Sequence, residues 1–181
     1  MKKILLLLLI LILHIQIAFC ASHDKIIGKQ GVSRGILVYI PKHEKASKMK
    51  SAFLEWSKAM DNKINFKFIS SYTASNIRVY FVETLKDEHS VTAVGVAGSK
   101  VMFNGAIKKT EIYIAERAKF DGARDQTPKE EYTTMIHEIG HALGLGHIDD
   151  ENSVMYPITG ENRSITQADI DALYKIYRLR K

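Results

Sequence analysis

The sequence predicts one mixed α/β domain, a five-stranded sheet with three helices, on three observations. Residues 64–69, 76–82 and 109–115 alternate apolar and polar side chains at period two, the pattern of half-buried strands. Between residues 46 and 60 the apolar positions Ala46, Met49, Ala52, Phe53, Trp56 and Met60 recur instead at spacings of three and four, as on one face of a helix. The 181 residues, 46% hydrophobic and 25% charged, suffice for one full core and not obviously for two.

Taken in order, residues 36–40 are a short β-branched run stopped by Pro41, which reads as a buried first strand. The amphipathic helix occupies residues 43–60, and Trp56, at helical spacing among apolar neighbours, belongs to the core. Two alternating strands follow, over residues 64–69 and 76–82. Residues 91–103 are apolar but broken by Gly95 and Gly98, which suits an edge strand or a close approach of another backbone. The fifth strand is 109–115, and 120–126 is a polar loop. Thr127, Pro128 and Glu130 then supply a helix cap, a proline at the first helical position and an acid at the third. Thr166, flanked by Ile165 and Ile170, opens a last helix that runs to about residue 179.

The helix that starts after Thr127 carries His137-Glu138-Ile139-Gly140-His141 and leads on to Gly144 and His147. His137 and His141 are one turn apart, so both imidazoles can reach a single ion, with Glu138 beside them. A glycine at position 144 can take a left-handed conformation, end the helix and return the chain so that His147 becomes a third ligand. Three imidazoles on Zn²⁺ leave a fourth position for water, the open coordination of a hydrolytic zinc, and Glu138 is then the general base.

The spacing HExxHxxGxxH and the following Ser153-Val154-Met155-Tyr156-Pro157 together resemble the metzincin metallopeptidases, and the form of the methionine turn is most similar to the matrixin branch. The resemblance implies a zincin-type α+β catalytic domain over residues 35–181, with Met155 as a packing floor under the ligands and a peptide or protein substrate. Phe53-Leu54-Glu55-Trp56-Ser57 and the stretch from Asp169 to Tyr174 are similar to family positions as well. Departures are visible. The structural-zinc histidines of the family have no counterpart, since His43 and His89 stand isolated as surface residues, so neither a second zinc nor calcium is expected. No cysteine-bearing inhibitory prosegment is found in residues 21–34, and Pro157 stands where some metzincins place a metal-reaching tyrosine.

Residues 1–20 differ from the rest. Lys2 and Lys3 precede an apolar run from Ile4 to Leu13, too short to span a bilayer comfortably, and Ala18-Phe19-Cys20 offers small residues at alternate positions, so this segment reads as a signal peptide. An uncleaved anchor and a lipid-modified Cys20 are the rival readings. Cleavage after Cys20 leaves a flexible leader over residues 21–34, no cysteine, and 24 basic against 20 acidic residues, a net charge of +4. The lysines are scattered without interleaved aromatics, so nucleic acid is not indicated. The expectation is a secreted or periplasmic monomer, without a membrane span after cleavage, that acts as a zinc endopeptidase. Its competitors are an exported zinc-binding pseudoprotease used as an interaction module and a structural exported protein with an incidental HExxH.

Overall fold

A computed structural model describes residues 29–32, 34–85, 95–116, 126–158 and 160–180. The signal segment, Cys20, most of the leader, His89, residues 91–94 and nearly all of the 120–126 loop lie outside the described residues.

The elements are β1 Ile36–Tyr39, α1 Ala46–Ala59, β2 Phe66–Phe68, β3 Ile77–Val82, β4 Gly95–Val101, β5 Ile107–Ala115, α2 Pro128–Ala142 and α3 Gln167–Tyr177. The strands form one sheet in the order β2-β1-β3-β5-β4. Every pairing is parallel except β4 with β5, which is antiparallel and leaves β4 at the edge. The five strands and three helices are thus those read from the sequence, and the strand broken by glycines is an edge strand.

Alternation along the strands explains why the sheet has two unlike faces. Ile36 and Val38 on β1, Ile77 and Val79 on β3, and Ile112 and Ile114 on β5 are all buried toward α1 and α2. The intervening residues face the other way: Tyr80 stacks on its cross-strand partner Tyr113 with centroids 4.7 Å apart, and Arg78 pairs with Glu111 at 3.6 Å. A one-residue slip would invert both faces, so the pattern specifies the register.

Helix α1 contributes Met49, Ala52, Phe53 and Trp56 to the core. It begins at Ala46, later than its periodicity suggested, and Asp61 and Asn62, in left-handed conformations (φ 50° and 57°), turn the chain away just past its end. Helix α2 opens with a full capping box: Glu130 N–H donates to Thr127 Oγ1 at 3.1 Å and Thr127 N–H to Glu130 Oε2 at 2.9 Å. Lys45 and Lys48, at the start of α1, both pair with Glu131 on the first turn of α2 and tie the two helices together. His43 is not an isolated surface residue. It stacks on Phe81 with ring centroids 4.2 Å apart and bonds Glu116 at 2.9 Å.

The Glu131 cluster generates an acid-stability prediction. Burial raises the Glu131 pKa, but the hydrogen bonds and charges of Lys45 and Lys48 outweigh it, and the carboxyl is held below its ordinary value of 4.5. A depressed folded pKa contributes stability that is present above the ordinary carboxyl range and is lost as pH falls through the folded pKa. Glu131→Gln should therefore cost about 2 kcal/mol at neutral pH. In thermal melts the gap between wild type and variant should close on acidification below about pH 4.5. A gap independent of pH would contradict the ion-pair account.

Candidate metal centre

His137 and His141 sit in the last two turns of α2, and the helix ends one residue after His141. Gly144 takes φ +102°, a conformation open to few residues with a side chain, and reverses the chain there. The turn is closed by Leu145 N–H donating to the Gly140 carbonyl at 3.0 Å, and it brings His147 back over the helix. The three imidazoles then lie within 4.8 Å of one another, measured between one ring nitrogen of each.

Backbone carbonyls orient two of the rings. His137 Nδ1 lies 2.6 Å from the Val154 carbonyl, and His141 Nδ1 lies 2.9 Å from the Leu145 carbonyl. A carbonyl only accepts, so each Nδ1 carries its proton and each neutral ring turns an Nε2 lone pair inward. The two Nε2 atoms face each other at 3.0 Å. Protonating one would relieve the repulsion, but burial opposes it: the His137 pKa is pushed down to about 3, and that of His141 to about 4. Two lone pairs facing each other in a buried pocket, with a third imidazole beside them, are relieved by a cation. The donor set and its tautomers fit Zn²⁺, which takes neutral imidazole nitrogens.

Glu138 is buried between α2 and the sheet edge. Its Oε2 has no hydrogen-bond partner, while the backbone of Ala97 on β4 bonds the carboxyl. Desolvation pushes its pKa up to about 8, and the Ala97 bond opposes this only in part. Gly95 makes the close approach feasible, since a Cβ there would lie 2.7 Å from Thr134 Cγ2 and 2.8 Å from Glu138 Cγ. Gly98, by contrast, has nothing within 4 Å of the position a Cβ would occupy. Only the first of the two glycines therefore answers to a close approach, and what approaches is side chains of α2, not another backbone.

Under the histidines, Met155 and Trp56 press on α2 from below. A Cβ at Gly140 would stand 2.2 Å from Met155 Sδ and 3.1 Å from Trp56 Cζ2, so a glycine in the fourth position of the motif lets both pack against the helix backbone. Trp56 is fully buried, as its spacing implied, and its Nε1–H donates to the Ile136 carbonyl at 2.8 Å. The turn that carries Val154 and Met155 is held from α3. Asp169, fully buried, accepts from Ser153 Oγ at 2.6 Å and from Thr166 N–H at 2.7 Å, and Ser153 Oγ in turn accepts from Met155 N–H at 2.9 Å. Sequence reasoning placed Asp169 in the opening turn of the last helix but missed this link to the methionine turn. A serine two residues before the methionine was its one local trace.

The family profile described as Matrixin matches residues 34–178. The chain is 29% identical over 141 residues to Metalloendoproteinase 1 of Glycine max, a match covering 70% of this chain and 43% of that protein. Over 45 residues it is 47% identical to human Matrilysin, covering 23% of this chain and 17% of the relative. The matched part thus spans less than half the length of these curated relatives. Among solved structures, the archaemetzincin of Methanopyrus kandleri aligns with a TM-score of 0.53 at 14% identity, covering 83% of this chain and 96% of that one. Myroilysin aligns with a TM-score of 0.51 at 19% identity, covering 87% of each chain. At these identities the two structures show a shared metzincin fold.

The packing around Gly140 predicts a stability effect. Gly140→Ala should cost about 1–3 kcal/mol despite the better helix propensity of alanine, because the buried Met155 thioether must move away. Denaturant unfolding checks the sign, and a variant more stable than wild type would mean that Met155 repacks freely.

Proposed function

The chain belongs to the matrixin family, and from that membership and the geometry of the centre we propose that it is a zinc-dependent endopeptidase. The observation that carries the reading is the inward-facing pair of Nε2 lone pairs on His137 and His141, with Glu138 beside them carrying an unpartnered oxygen. His137, His141 and His147 would hold the ion. When bound, zinc supplies a Lewis acid that polarises a carbonyl and acidifies water.

The chain's own residues supply the rest. Glu138 takes the proton of the attacking water at Oε2 and returns it to the departing amine, so one carboxyl serves as base and then as acid. The Val154 and Leu145 carbonyls keep both protons on Nδ1 and both Nε2 atoms aimed inward. Strand β4, at the sheet edge, offers its free backbone groups to an extended peptide, which adds as a further strand. The Ala97 backbone, which now bonds Glu138, lies on that same edge, so a bound peptide and the carboxyl compete for it. Across the cleft, Ile158 is 68% exposed after the methionine turn and favours an apolar side chain just beyond the scissile bond.

Glu138→Gln should retain zinc, since all three imidazoles remain, and lose roughly 10²–10⁴-fold in peptide hydrolysis. His141→Ala should lose metal and melting temperature together. Metal analysis, thermal melts and a fluorogenic peptide assay, each with and without chelator, measure these outcomes. A Glu138 variant with wild-type turnover would overturn the mechanism, and a zinc-loaded protein inert toward all peptides would favour the interaction-module reading.

The raised Glu138 pKa adds a linked prediction. With a pKa near 8 the metal-free carboxyl is mostly protonated at neutral pH. A dication nearby favours the ionised form. Zinc uptake at neutral pH should therefore release about one more proton from wild type than from Glu138→Gln, because the folded carboxyl starts protonated and ends charged. Calorimetry in buffers of different ionisation enthalpy gives the count, and equal release from the two proteins would refute it.

A further inference from the structure

The end of β4 far from Glu138 turns back into β5 through a tip that exposes large apolar side chains. Phe103 is fully exposed, Met102 is 51% exposed and Val101 43%. The tip is a fastened turn. Met102 N–H donates to the Ala106 carbonyl at 2.8 Å, Gly105 N–H to the Met102 carbonyl at 2.9 Å, and Ala106 N–H to Asn104 Oδ1 at 3.0 Å, with Gly105 at φ +77°. Lys29 braces it from the side, donating its N–H to the Gly105 carbonyl at 3.1 Å and accepting from Ile107 N–H at 2.8 Å. An ordered tip that keeps a phenylalanine and a methionine in water has its ordering cost already met before it meets an apolar phase.

Charge around the tip indicates which apolar phase. Lys29, Lys100 and Lys108 are exposed around it, and the sequence from Ser90 to Thr110 contains no acidic residue. Apolar wedges rimmed by lysines match the interface of an anionic bilayer, where the rings enter the headgroup boundary and the ammonium groups meet lipid phosphates. A soluble polyanion would match the lysines and leave Phe103 and Met102 without a purpose. Among the described residues no helix is long and apolar enough to cross a membrane.

We propose that the β4–β5 hairpin tip docks this protein on anionic lipid surfaces, with Phe103 and Met102 entering the interface and Lys29, Lys100 and Lys108 engaging the headgroups. Gly95, beside Glu138, is six residues of strand from Val101, so the cleft stands about 20 Å back from the docked tip and stays open to substrate. The docking is independent of the peptidase reading, and it is tested by binding alone.

Phe103→Trp provides a local reporter, because the native Trp56 is fully buried and its emission is constant. The full chain carrying this variant is titrated with vesicles of phosphatidylcholine alone and of phosphatidylcholine mixed with phosphatidylglycerol. The expected result is a blue shift of the introduced indole's emission on the anionic vesicles only, weakened by added salt. Lys100→Ala with Lys108→Ala in the same background should weaken partitioning about 25-fold, at about fivefold for each lysine removed. Three results would overturn the proposal: an unshifted signal when the vesicles bind the chain elsewhere, an equal shift on neutral vesicles, or emission already blue-shifted without lipid. In the last case a second copy or another segment of the chain covers the tip, and dilution tells these two apart.

Discussion

The Val154 carbonyl, held over α2 by the turn around Met155, accepts the Nδ1 proton of His137, and the Leu145 carbonyl does the same for His141 one helical turn further on. Much of the centre depends on these two acceptors. They select the tautomer, and the tautomer decides whether the buried Nε2 atoms present lone pairs or protons. An i, i+4 pair of histidines on a helix brings the rings to one place, but without the carbonyls either ring could turn its N–H inward and offer nothing to a cation.

Each acceptor has its own support, and the supports come from different parts of the chain. Leu145 is placed by the left-handed Gly144 and by its own N–H bond to Gly140. Val154 is placed from two sides, by its N–H bond to the Ser164 carbonyl at 2.7 Å and by Ser153, whose hydroxyl is fixed on Asp169 of α3. The same Asp169 accepts the Thr166 N–H at the start of that helix. One buried carboxylate thus caps the last helix and steadies the turn that orients the first histidine. The last helix is therefore part of the centre's scaffold although it offers no ligand.

Close approach on the two sides of α2 completes the arrangement. Gly140 lets Met155 and Trp56 pack against the helix under the histidines, and Gly95 lets the edge strand come in beside Glu138. Burial at that seam accounts for the unusual carboxyl: a group deprived of water, with one oxygen unpartnered, keeps its proton until a nearby positive charge makes the ionised form worthwhile. The edge strand that desolvates Glu138 is also the one the proposed peptide substrate would join, so the proposed base and the proposed peptide-binding backbone depend on the same strand.

Much of this was legible in the residues alone. Period-two alternation marked the strands because half-buried strands must segregate their faces, and Thr127, Pro128 and Glu130 marked the start of α2 because a helix end must satisfy its own N–H groups. The histidine spacing and Gly144 stated the centre, since ligands one turn apart on a helix and a reversal by glycine are local geometry. What local geometry cannot contain is contact between distant segments. That Ser153 meets Asp169, that Val154 and not water faces His137, that His43 pairs with Glu116, and that Gly95 rather than Gly98 lies against Glu138 were decided only when the chain packed. The pKa of Glu138 belongs to the same class. Its value follows from how much water the packed sheet edge removes, and desolvation is a property of the assembled surroundings and not of the residue or its neighbours in sequence.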